Sequence, residues 1–228
     1  MNSFGRRFVL LLSLALTPLL VNSQEQESGL DQKQDSLTTP FRRGRWLSGL
    51  NGSFSSTNLR LEAENEQIST IQYGLEIFTG TFIYDRWFLG LSLLANRTSG
   101  SGFIERDLET FTIGPTVSRY FLKDHYGSLY LSGTPGIIIV RDEAAFEIDG
   151  ATSNRSLEGP GVSIRLRLGY SYVISDKIIL DVGLDNSFIW YDVELVTDPP
   201  QNVSKDTIFT NSTAFSFGFI VLLDEFFF

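Results

Sequence analysis

The 228-residue chain has no cysteine and a single histidine, His125. The first absence excludes a disulfide framework, a thiol nucleophile and a lipid-modified N-terminal cysteine. The second leaves one residue for the commonest neutral-pH base. Positive charge is scarce: 18 Lys and Arg stand against 27 Asp and Glu, a formal net charge of −9. Nucleic acid calls for a basic face, so it is not an expected partner. Long apolar runs are missing as well. The run Phe8 to Val21 contains Pro18 and falls short of the ~20 residues that a helix needs to cross a bilayer. Preceded by Arg6 and Arg7 and followed by Val21-Asn22-Ser23, it has the layout of a secretory signal peptide over residues 1–23, and its length counts against the rival reading as an anchor. No later segment reaches the ~18 uninterrupted apolar residues of a membrane helix. Gln24 to Pro40 is rich in Gln, Glu, Asp and Ser and cannot bury enough apolar surface to fold alone. Residues 24–44 are therefore expected as a disordered linker and residues 45–228 as one folded domain.

What the chain does have is 20 Gly, 19 Phe, 8 Tyr and 3 Trp, together with an alternation of period two. From Val162 to Tyr172 the even positions read Val, Ile, Leu, Leu, Tyr, Tyr, and the odd ones Ser, Arg, Arg, Gly, Ser. A helical template would mix Arg with Leu on one face, so only a strand separates them. The same pattern predicts seven further strands, near 45–56, 68–83, from 87, 108–122, 127–141, 177–191 and 207–223. Their apolar faces carry Leu50 and Phe54; Ile71, Tyr73, Leu75 and Ile77; Leu89, Leu91 and Leu93; Phe111 and Ile113; Leu129, Leu131, Ile137 and Ile139; Leu180, Val182 and Leu184; and Phe215, Phe217 and Phe219. The second face is Gly, Ser and Thr with a few charges.

The connections sort by parity. Tight turns at Asp85-Arg86, Lys123-Asp124-His125 and Ser175-Asp176 join strands 2–3, 4–5 and 6–7, whereas longer polar segments such as Asp142–Glu158 and Asp192–Asp206 are expected as loops on the other side. Eight strands with short turns at one end and long loops at the other form an all-β, antiparallel, up-and-down transmembrane barrel, with both termini at the short-turn, periplasmic end. The rival fold is a soluble lipocalin-like barrel with its apolar face turned inward around a ligand. A second face dominated by Gly, Ser and Thr makes a poor solvated exterior and suits the crowded interior of a narrow barrel.

The segments Tyr84-Asp85-Arg86-Trp87-Phe88-Leu89-Gly90-Leu91 and Ile174-Ser175-Asp176-Lys177-Ile178-Ile179-Leu180 resemble the aromatic/Asp turn and alternating Gly strand of small outer-membrane barrels. Over Arg45 to about Leu223 the chain is similar to the OmpX and OmpA barrel-domain superfamily. The resemblance implies a bacterial outer-membrane location and passage through the barrel assembly machinery. Members commonly end on an aromatic residue in phase with the lipid-facing positions. Here Phe228 falls one residue out of phase, which a bulge near Asp224-Glu225 would correct.

The predicted lumen holds Arg165 and Arg167 on strand 6, Asp181 and Asp185 on strand 7 and Glu76 on strand 2. These are expected to form a charge network by cross-strand opposition. It reads as a gate or selectivity element, or as a structural filling of a lumen only wide enough for side chains; the filling is the stronger expectation. Trp46, Tyr84 and Trp87 at one end, and Phe188 and Trp190 at the other, suit aromatic girdles. His125 sits in a turn between Asp124 and Tyr126, away from any outer-side serine, so neither a Ser-His pair nor other catalysis is expected. No metal site or cofactor is indicated. Acidic segments at the loop end are solvated, or share divalent cations with lipopolysaccharide phosphates, and Arg42, Arg43 and Arg45 are placed at the inner headgroup layer. The expected role is structural or surface-interacting, as a monomer with outer-membrane lipids and lipopolysaccharide as partners and any extracellular specificity in the loops. A narrow channel and a soluble lipocalin-like binder are the alternatives.

Overall fold

The computed structural model describes residues 39–61, 66–101, 104–148, 151–196 and 203–224. The expected signal peptide, most of the linker and the Phe226–Phe228 tail lie outside the described residues. Eight antiparallel strands follow one another: β1 (Trp46–Leu61), β2 (Glu66–Tyr84), β3 (Trp87–Ser101), β4 (Ile104–Tyr120), β5 (Gly127–Ile148), β6 (Ala151–Ser175), β7 (Ile178–Val196) and β8 (Val203–Leu223). Each pairs with its sequence neighbours, and β8 returns to β1 to close the barrel. Alternation decides which face goes outward. Leu75, Leu91, Ile113, Leu131, Leu168, Leu184 and Phe217 are 41–56% exposed on the outer wall. An apolar band around a closed ring, with all ladder hydrogen bonds made inside the wall, is a surface for lipid.

The strands run longer than the alternation indicated. Segments expected as loops are instead hairpin extensions: Arg141 pairs with Glu158 and the ladder continues to Ile148 and Ala151, and β7–β8 pairing continues from Asp192–Thr207 to Val196–Val203. The physical reason is that a hairpin keeps its ladder wherever the two backbones pair, whatever lies on its faces. Its strands then need no apolar stripe, and the sequence signal vanishes although the backbone pairing does not.

At the other end β2–β3 and β6–β7 are joined by two residues each. The β4–β5 connection, expected as a tight turn at Lys123-Asp124-His125, takes the six residues 121–126. Arg86 has φ 66° in the Asp85-Arg86 turn, and Gly44 has φ 86° where the chain bends into β1. Asp85 accepts a hydrogen bond from the Arg43 N–H at 2.7 Å. Six residues placed in the linker by their composition belong to the barrel. Phe41 is completely buried, its ring stacks on Tyr120 at 4.2 Å, and its carbonyl accepts the Arg86 N–H at 2.7 Å. Arg45 is buried too, which corrects its expected place among headgroups. It pairs with Asp224 at 2.8 Å and donates to the carbonyls of Pro40 (3.1 Å) and Asp176 (2.9 Å).

The closing seam is the shortest ladder in the ring. β1 and β8 pair from Trp46–Leu223 to Phe54–Phe215, whereas β1 goes on pairing with β2 as far as Leu61 and β8 with β7 as far as Val203. Beyond Phe54 and Phe215 the two facing edges carry no ladder to each other among the described residues.

Candidate functional site

The inward positions build three layers along the lumen. The central layer is polar. Arg165 and Arg167 alternate inward from β6, and Asp185 stands directly opposite Arg167 on β7. Arg165 reaches across the lumen to pair with Glu76 on β2, and donates to the Ser92 hydroxyl on β3 at 3.1 Å. Ser92 in turn donates to Glu76 at 2.6 Å. Arg167 bridges both acids, at 2.7 Å to Glu76 and with a two-pronged contact to Asp185, whose second prong is 2.7 Å. Asn51 faces the same guanidinium, its amide oxygen accepting from Arg167 in the orientation that satisfies both ends. Two arginines, two acids and their polar neighbours thus neutralise one another within a buried space, where charges need such pairing.

Asp181 was expected in this network and makes no ion pair with its arginines. It accepts from Tyr130 at 2.6 Å and from Ser171, its cross-strand partner, at 2.7 Å. The difference follows from register: Asp181 lies four residues nearer the turn than Asp185, beside an aromatic layer. Next to the network a run of hydroxyls, Thr116, Ser118, Ser132 and Thr134, is linked at 2.8–3.2 Å.

Apolar layers lie on both sides. Toward the tight turns, Phe41, Leu47, Phe78, Phe82, Phe88, Tyr120, Tyr130, Ile179, Ile220 and Leu222 form one buried cluster. Glycines make room for its rings: a Cβ on Gly49 would collide with the Phe78 ring, and one on Gly169 would lie 2.7 Å from Tyr130. Toward the hairpin extensions, Leu108, Ile138, Val140, Ile189 and Tyr191 form a smaller cluster, with Ile208 against it. The alternation did not announce these layers, because an inward Phe or Ile beside outward apolar neighbours merely interrupts the pattern. Tyr130, Ser92, Ser171 and Asn51 carried only their inward parity as a signal.

Two cavities flank Arg165, of about 20 Å³ and 10 Å³. Each has room for about one water molecule.

Of the five girdle candidates, Trp46, Tyr84 and Trp87 stand at strand ends by the short turns, whereas Phe188 and Trp190 lie six or more residues inside the end of β7. Trp46 donates to Thr79 at 2.8 Å, Tyr84 is 62% exposed, and the Arg119 guanidinium lies 4.9 Å from the centre of the Trp87 ring. Toward the hairpin extensions Phe188 stacks on Trp190 at 6.4 Å and Trp190 meets Phe209, which sequence reasoning missed, at 5.3 Å. His125 is in an exposed turn, 3.3 Å from Asp124 and against the Tyr126 ring.

No family model matches the chain, nor does any curated protein. Among solved structures it is similar to the outer membrane protein OprG from Pseudomonas aeruginosa, with a TM-score of 0.50 and 10% identity over 81% of this chain and 99% of that one. It also matches Neisserial surface protein A, with a TM-score of 0.44 and 16% identity over 78% and 96% of the two chains. The attachment invasion locus protein Ail of Yersinia pestis matches with a TM-score of 0.38 and 12% identity over 79% and 99%. At such identities the likeness concerns fold alone. The chain is similar in fold to small eight-stranded outer-membrane β-barrels.

Proposed function

We propose that the protein is a non-conducting barrel of the bacterial outer membrane, structural or surface-interacting in role, with its tight-turn end and both barrel termini in the periplasm. The observation that carries this reading is the three-layered lumen, a self-neutralised ion cluster closed by apolar side chains on both sides. A pore needs a continuous polar path, and the two cavities described beside Arg165 are only water-sized. The exposed apolar band supports lipid as the surrounding medium and argues against a soluble lipocalin-like binder. Recognition falls to the projecting β5–β6 and β7–β8 hairpins, the elements that reach farthest beyond that band. Outer-membrane lipids, lipopolysaccharide and the barrel assembly machinery are the partners this reading implies, and the protein acts as a monomer. With His125 solvated at the tight-turn end, the reading assigns no catalysis.

Planar-bilayer recording of the purified barrel tests the proposal. The expected result is no reproducible conductance step, and regular steps would favour the channel reading. Recovery of the protein in the soluble fraction after cell lysis, with no heat-modifiable band on a gel, would overturn the membrane location itself.

A further inference from the structure

One outward depression differs from the rest of the wall. Following the ladder from β2 to β5, the partners Leu75, Ala95, Phe111 and Ile139 form one cross-strand row. Ala95 is the one small side chain in that row, and a groove of about 550 Å³ opens over it. That volume lies within the ~300–1,000 Å³ common for small-molecule sites. The next row toward the hairpins changes chemistry at once. Tyr73, Arg97, Glu109, Arg141 and Glu158 are successive ladder partners on β2 to β6, and all five line the same groove. An apolar floor thus ends at a charged ledge, at the height where the lipid-facing band stops.

We infer that this groove is a binding site for a phosphorylated, acylated glycolipid of the outer leaflet, one acyl chain lying over Ala95 and two phosphates meeting Arg97 and Arg141. The inference rests on the outer-membrane reading above. The occupant follows from the two ends of the groove. Its floor faces hydrocarbon, so the buried part of the ligand is an acyl chain. Its cations stand on β3 and β5 with one strand between them, about 10 Å apart at the usual strand spacing. A headgroup bearing two separated phosphates engages both, whereas a single phosphodiester engages one. Arginine suits the task because its planar fork binds phosphate bidentately.

Both side chains are solvent-accessible, held in surface ion pairs for which a phosphate competes. Arg97 and Arg141 are 44% and 61% exposed. Arg97 pairs with Asp107 at 2.9 Å and lies 3.6 Å from Glu109. Arg141 gives Nε and Nη2 to Glu143 at 3.0 and 2.7 Å, a pair in which its Nη1 takes no part. With Asp107 and Glu143 beside the ledge, four acids surround its two arginines, so phosphate groups settle there with divalent cations between them and Glu109 and Glu158.

Native mass spectrometry of the purified, refolded barrel, with magnesium present and bis-phosphorylated lipid A as the probe, decides the matter. The expected result is one retained lipid A on the wild type, with retention at least tenfold lower for Ala95→Trp, which fills the floor, and for the Arg97→Ala/Arg141→Ala pair. Equal retention by wild type and both variants overturns the site, as does equal retention of phosphatidylethanolamine by the wild type. Heat-modifiability confirms folding of each variant, and Ala95→Leu replaces Ala95→Trp if the larger side chain blocks assembly. Binding in micelles does not depend on cellular location. Loss of the groove effect in a protein that fractionates with the outer membrane therefore refutes this inference alone, and a soluble protein refutes the parent reading.

Discussion

The two halves of the barrel are closed by different means. At the tight-turn end the wall is complete, with β1 and β8 paired from Trp46–Leu223 to Phe54–Phe215. The lumen there is packed with stacked rings and sealed by a residue from outside the strands, Phe41. At the hairpin end β1 and β8 no longer pair, and the lumen is closed by a smaller aliphatic cluster topped by Tyr191. The comparison teaches that packing is distributed unevenly along one axis. The larger buried cluster lies where β1 begins and β8 ends, and the smaller one toward the projecting hairpins. The ion cluster sits between them and belongs to neither.

That division can be broken in stages. The largest effect is expected at the boundary. Arg167→Ala leaves Glu76 and Asp185 buried without their shared cation, at a cost of about 3–5 kcal/mol, read as a lowered urea midpoint in detergent. If Arg167→Ala unfolds at the wild-type midpoint, the cluster is ornamental. Next comes the inner seal. Phe41→Ala removes a fully buried ring and should cost about 3 kcal/mol, although its position lies in a segment whose composition predicts disorder. The outer seal is tested by Ile138→Ala, expected to cost about 2 kcal/mol because the truncated side chain is smaller. A loss as large as that of Phe41→Ala would erase the contrast between the ends. Hydrogen exchange sharpens the comparison at the seam: edge amides from Ser55 to Leu61 should exchange faster than those from Leu47 to Ser53. The smallest change is expected from Asp224→Asn. Its carboxylate is 52% exposed and meets Arg42 and Arg45, so the loss should stay within about 1 kcal/mol.

Legibility in the sequence followed the environment of each residue. Where one face meets lipid and the other a crowded lumen, as from Val162 to Tyr172, alternation reveals strand, face and direction together. The charge network was legible for the same reason, since Arg165, Arg167, Asp185 and Glu76 break an otherwise small-residue face. What lacked contrast was lost. Phe78 and Phe88 sit inward between outward apolar residues, so their direction was hidden. The Asp142–Glu158 hairpin is dominated by charged and small polar residues and reads as a loop. Phe41 lies in a polar stretch whose average character conceals one anchoring ring. Asp181 shows a further limit, since parity placed it inward correctly but could not say that Tyr130 and Ser171 would claim it ahead of the arginines. The Ala95 groove depends on which small residue falls beside Leu75 and Phe111, a matter of register between strands that no single segment reveals.

The short seam has a consequence for the order of events during assembly. β1 and β8 are the first and last strands of the barrel, so their contact spans the greatest length of chain and carries the greatest loop-closure cost. Local hairpins form ahead of it, and the ring is completed by a step that must align only the stretch from Trp46 to Phe54 with that from Phe215 to Leu223. A short final ladder lowers the number of pairs that must fall into place at once. It also makes the closing step the natural rate-limiting event, so substitutions in these two stretches should slow barrel closure more than equally destabilising changes elsewhere in the wall.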